Sequence, residues 1–209
     1  MIRNRSGIAG VLLLAGGLAA GFAGTASAQD NAKPKDAQAA FEPPSGPGAG
    51  QAYLKTFEGD WDVDKVFYRP TGEAIHTPGE CHQAMVKGGL FLESDFTFHQ
   101  KDGTTGTGTG ISGFDPKTGL FMTFWYDSRS PHFSIRASRE PFDGKHIELH
   151  SVSVGASWGS EHDSRTETHL EDNGHKLIHR QFVKDKDGKE RVMSELLMTR
   201  KGGAAAPGK

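Results

Sequence analysis

Cysteine is nearly missing from this chain of 209 residues: Cys81 stands alone, which excludes an intramolecular disulfide and leaves core burial to hold the fold together. Long blocks of one charge are missing too, which argues against nucleic acid as a partner. Apart from one stretch near the start, no apolar run approaches the roughly 20 strongly apolar residues of a bilayer-spanning helix. There is no Gly-x-Ser-x-Gly elbow for a serine nucleophile. Helical periodicity is also scarce. Only Ala52 to Phe57 places apolar residues, Tyr53, Leu54 and Phe57, on one helical face.

The exceptional apolar run, Ile8 to Phe22, is diluted by Gly10, Gly16, Gly17 and Gly21. It follows Arg3 and Arg5 and precedes Ala26-Ser27-Ala28, the order of parts in a cleaved secretory signal over residues 1–28. The expected mature chain begins at Gln29 in the periplasm or outside the cell. With no cysteine after the cleavage site, no lipid or other membrane anchor is expected. Removing Arg3 and Arg5 leaves 22 basic against 26 acidic residues, a formal charge of −4. Residues 29–50 and 201–209 are rich in Ala, Pro and Gly and read as a linker and a tail. Residues 51–200 are enough for one domain with a full core.

Within that domain, apolar and polar residues alternate in short runs separated by turn chemistry, the pattern of antiparallel all-β structure. About ten strands fit. The simplest closure of so long a meander is an up-and-down β-barrel preceded by a short N-terminal helix, with a sandwich as the alternative. Three turns, Asp143-Gly144, Asn173-Gly174 and Asp187-Gly188, fix register as two-residue hairpin loops. They set Glu171 opposite Lys176, Glu167 opposite Arg180, Arg180 opposite Glu195, and Arg139 opposite Glu148. Four opposite-charge matches support that register.

The ladder Glu167, Arg180, Glu195 then marks a wet face. The inner face collects Thr166, Gln181 and Ser194, then Thr168, His179 and Leu196, then Leu170, Leu177 and Met198. A half-polar interior suits a barrel that holds a small hydrophobic or amphipathic molecule. Phe96, Phe98, Leu170, Leu177, Leu196 and Met198 are its expected apolar lining, and Thr166, Thr168, His179, Gln181 and Ser194 its polar anchors. On the presumed outer face, Ile178, Phe182, Met193 and Leu197 offer a surface for a homodimer, the reading to prefer if the barrel is filled. The alternating Gly106, Gly108 and Gly110 permit sharp strand bending.

Several segments carry a resemblance. Leu54 to Trp61, the Lys87-Gly88-Gly89-Leu90-Phe91-Leu92-Glu93 segment, Gly113-Phe114-Asp115 with Trp125-Tyr126-Asp127-Ser128, and the closing Met198-Thr199-Arg200 together resemble the bacterial family known as domain of unknown function 1579. The resemblance spans nearly the whole domain. It implies a lipocalin-like, or calycin, barrel and no established activity, so it assigns no catalytic residue. Gly59-x-Trp61 after a short helix is similar to the start of many calycins, where the Trp packs at the closed end.

Ten histidines raise metal and haem readings. His146-Ile147-Glu148-Leu149-His150 has a metal-like look, but on one strand His146 and His150 would stand about 13 Å apart, too far for one ion. No metal site is expected. His150, opposite Ala137 and beside Ile135, Phe133, Val152 and Val154, reads as an inward histidine among apolar side chains, as does His179. Either could serve a haem or a histidine-dependent enzyme, since nitrobindin-type barrels hold haem through an axial histidine. No cofactor is the first expectation and haem the alternative. Catalysis has little support: Cys81 and His82 point to opposite faces of a strand, and Glu161-His162-Asp163 with Arg165 reads as a solvated rim.

Overall fold

The structure, a computed structural model, describes residues 46–152 and 164–203. The expected export signal, nearly all of the expected linker, Glu161-His162-Asp163 and most of the expected tail lie outside them.

Ten strands follow one short helix. α1 is Ala49–Lys55, and the strands are β1 (Gly59–Tyr68), β2 (Ala74–Val86), β3 (Phe91–His99), β4 (Thr105–Asp115), β5 (Leu120–Asp127), β6 (Ser130–Ala137), β7 (Ile147–Ser151), β8 (Ser164–Glu171), β9 (Lys176–Lys184) and β10 (Glu190–Arg200). Each strand pairs antiparallel with the next, and β1 also pairs with β10. The result is a closed up-and-down barrel without a free sheet edge.

α1 begins three residues before the expected helix because Gln51 serves both its start and its anchor. The Gln51 side chain accepts the Gly48 N–H at 2.7 Å and donates to the Phe114 carbonyl at 2.7 Å. Gly50 lies against the Phe114 ring, where an added Cβ would come within 2.2 Å. Only glycine lets the helix approach that closely.

One end of the barrel is sealed by this helix and by Trp61. The Trp61 indole is buried, and its N–H donates to the Phe57 carbonyl at 3.0 Å. The Arg200 guanidinium lies 4.1 Å over the ring. It donates to the carbonyls of Gly174 at 3.0 Å, Thr56 at 2.8 Å and Glu58. Gly59 has φ of +127°, and a Cβ there would meet the Arg200 guanidinium at 2.8 Å. The Gly-x-Trp motif therefore leaves space for an arginine at the far end of the domain.

The expected registers hold through the last three strands, with two local differences. Glu171 pairs with Lys176 and Glu167 with Arg180, but the turn between them is a four-residue loop. The Asp187-Gly188 turn is longer by one residue, and a bulge at Met193 restores the expected pairing of Ser194 with Gln181 and Glu195 with Arg180. Glu195 is less wet than expected, because it is held by Arg180 at 2.6 Å and by the Tyr68 hydroxyl at 2.5 Å. The fourth expected charge pair falls beyond the end of β6. Glu148 takes Arg165 at 3.4 Å and His150 at 2.9 Å.

Candidate functional site

Inside the barrel is a cavity of about 330 Å³, at the small end of small-molecule sites. Thr166, Thr168, His179, Gln181, Ser194, Leu196 and Met198 all line it, as do Phe96, Phe98 and Leu177. Register explains the arrangement. Phe67, Ser194, Gln181, Thr166 and Leu149 form one rung across β1, β10, β9, β8 and β7. Lys65, Leu196, His179, Thr168 and Ile147 form the next, toward the sealed end. Leu170 packs against the core but does not line the cavity.

His150 is a correction. Ile147 and Leu149 face the cavity, so His150 and Glu148 between and beside them face outward, bonded to each other at 2.9 Å. Its partner is Ala137, as expected, but Phe133 and Val152, two of the apolar neighbours that suggested an interior, lie on the outside, and Val154 is outside the described residues. Phe133 is 52 % exposed and Val152 37 %, with Phe124 at 41 % and Tyr126 at 43 % nearby on β5. The face expected to be an outer apolar surface differs as well. Ile178 is buried, Phe182 is capped by Arg165 at 3.9 Å, and Met193 lines the cavity.

Polar and apolar side chains are mixed around the cavity, with Phe96, Phe98 and Trp125 gathered on β3 and β5. β8 stands diametrically opposite β3 in the ring of ten strands. The β8 side, with β6, β9 and β10, supplies Arg136, Thr166, Thr168, His179, Gln181 and Ser194 along with Leu177, Leu196 and Met198, while β3 and β5 supply Leu92, Phe96, Phe98 and Trp125 along with Ser94 and Thr123. Phe96 meets Phe98 in a stack at 5.7 Å and Trp125 edge-on at 5.5 Å. The Trp125 indole lies over Gly108, where a Cβ would come within 2.4 Å of it. The alternate glycines of β4 thus serve less to bend the strand than to seat this ring.

Sequence reasoning missed Lys65, Gln83, Trp125, Arg129 and Arg136 in this lining. Period two could have found Lys65, which lies between Val63 and Phe67 on the inward face of β1. The polar groups are incompletely served. Among the described residues, four buried side-chain atoms lack a hydrogen-bond partner, and three of them, Gln83 Oε1, Arg136 Nε and Thr166 Oγ1, belong to cavity residues. Buried polar atoms are normally paired, and leaving one unpaired costs about 1–3 kcal/mol.

His179 bonds the Thr168 hydroxyl through Nδ1 at 2.8 Å. Burial, aided by the nearby Arg136 charge, lowers its pKa to about 4, so the imidazole is neutral at pH 7. Cys81 is buried, and burial pushes its thiol far up, away from thiolate chemistry. No group of three metal-ligating side chains converges among the described residues.

The profile of the family described as "Protein of unknown function (DUF1579)" matches residues 46–200, the helix and all ten strands. The chain belongs to this family. Its barrel is similar to that in the crystal structure of Rv2717c from M. tuberculosis, at 17 % identity and a TM-score of 0.55, covering 75 % of this chain and 99 % of that one. A de novo designed fluorescence-activating β-barrel aligns at 15 % identity with a TM-score of 0.34, over 74 % of this chain and 100 % of the design. No curated protein sequence matches the chain. The family match and the likeness to Rv2717c describe the DUF1579 barrel's fold and leave its ligand to the chemistry of the lining.

Proposed function

We propose that this DUF1579 barrel is a non-catalytic binding protein that holds one small, partly apolar molecule in its interior. The observation that carries the reading is the cavity itself, about 330 Å³ lined by both aromatic and polar side chains, three of which carry an unpartnered polar atom. A molecule with one polar end and one apolar body satisfies both kinds of lining. A haem or histidine-dependent role would rest on His179, since His150 is outside.

The test is uptake of a neutral fluorescent probe, N-phenyl-1-naphthylamine, by the mature protein. Leu196 faces the cavity from β10, and Leu196→Trp fills it. Wild type is expected to bind the probe with about micromolar affinity, and the filled variant to lose at least roughly tenfold while keeping its β-sheet circular dichroism. A wild-type barrel that takes up no probe would sink the reading.

We further propose export, supported by the order Arg3, Arg5, the Ile8 to Phe22 run and Ala26-Ser27-Ala28. Expressed in a Gram-negative host, the protein should appear in the periplasmic fraction with a mass that starts at Gln29. A full-length mass in the cytoplasm would count against it.

A further inference from the structure

We propose that the molecule held in this cavity is an acid: its single anionic head, a carboxylate or its equivalent, sits on Arg136, and its apolar body lies against Phe96, Phe98 and Trp125. This rests on the cavity being the ligand site and adds the chemical class of the ligand.

The cavity wall is one-sided in charge. Among the described residues, Lys65, Arg129 and Arg136 line it, and no Asp or Glu does. Arg129 is already matched, because Asp127 holds it at 2.6 Å and also accepts the Trp125 N–H at 3.2 Å. Arg136 is not matched in this way. Its guanidinium donates to the hydroxyls of Ser134 at 2.9 Å and Ser164 at 3.4 Å, two neutral acceptors, and its Nε has no partner. Lys65 lies 4.7 Å over the Phe98 ring.

A guanidinium taken out of water without a counter-charge is costly, and the cost is recovered when an anion arrives with the geometry to accept from it. Arg offers a planar fork that matches a carboxylate better than a lysine ammonium does. Burial lowers the pKa of both Arg136 and Lys65, in keeping with the scarcity of negative charge around them. Arg200, buried where Arg136 is half-buried, makes the contrast plain: three backbone carbonyls occupy its fork, so it has no capacity left for a ligand. The neutral His179 beside Arg136 adds no competing negative charge. Thr166, on β8 in the same lining, carries a further unpartnered hydroxyl.

The experiment compares two pairs of probes on the mature protein. 1-Anilinonaphthalene-8-sulfonate and N-phenyl-1-naphthylamine share a ring system and differ in charge. Decanoate and decanol, used to displace the neutral probe, share a chain and differ in the head. The anionic member of each pair is expected to bind roughly tenfold or more tightly, the strength of one charge-assisted contact. Arg136→Gln should remove that preference, and Arg136→Lys should restore part of it.

Equal affinities within both pairs in wild type, or an anion preference that persists in Arg136→Gln, would overturn the assignment. The decanoate and decanol comparison needs no variant, so it decides even if Arg136→Gln fails to fold. Binding of the neutral probe with no anion preference defeats the acidic head and leaves the cavity as a site. Binding of no probe defeats the cavity reading instead.

Discussion

Replacing Arg200 with methionine is expected to destabilise the folded barrel by about 3–5 kcal/mol, because the change orphans buried carbonyls and strips the cover from Trp61. Arg200 reaches from the last strand to the turn before β9 and to the segment between α1 and β1, donating to Gly174, Thr56 and Glu58. It thereby ties the first strand to the last at the point where the barrel closes. Methionine keeps most of the volume and some of the contact with the Trp61 ring, so the loss reads the hydrogen bonds rather than a cavity. Urea unfolding followed by tryptophan fluorescence measures it. A change in stability below about 1 kcal/mol would mean that water takes over these carbonyls, contrary to their buried setting.

The second large effect is on acid stability. His179 has its pKa lowered from 6.5 to about 4 in the folded barrel, first by burial and then by Arg136. In the unfolded chain it returns to its ordinary value, so between those two pH values the unfolded state binds more protons than the folded one. Stability must therefore rise with pH across this window and fall on acidification. Between pH 7 and pH 4 this one group accounts for about 3 kcal/mol. His179→Gln keeps a polar group for the Thr168 hydroxyl and cannot titrate. Its stability should fall by about that much less than wild type over the same range, measured by urea unfolding at each pH. Parallel losses in the two proteins would show that the imidazole is already hydrated in the native state.

The two expectations differ in how far the sequence revealed them. His179 was legible, because the Asn173-Gly174 turn fixed its register with Thr168, and the charge ladder on the other face gave its direction. Thr166, Thr168, Gln181, Ser194, Leu196 and Met198 follow from the same two facts, and all line the cavity. The inserted residue at Met193 did not disturb this reading, since the longer turn and the bulge compensate.

Arg136 and His150 were hidden by one inversion. On β6 and just after β7 the exterior carries Phe133 and Val152, while Ser134 and Arg136 turn inward. Alternation says that two faces exist but not which faces the axis, and the apolar face is the inner one only where the outer face is polar. Arg200 was quoted from the sequence only as part of a closing motif. Nothing local to it indicates that two of its three carbonyl partners lie more than 140 residues earlier.

By itself the sequence determined that residues beyond Gln51 form an antiparallel barrel, the order of its strands, and, apart from Met193 and Leu170, which residues of its last three line the interior. Those properties depend on alternation and turn chemistry, which act over a few neighbouring residues. Only the tertiary structure decided that the interior stays open, that its charge is one-sided, and that an arginine from the last strand seals the end begun by Trp61. Each of these depends on where side chains from distant strands meet, and closure of the ring, not local propensity, brings them together.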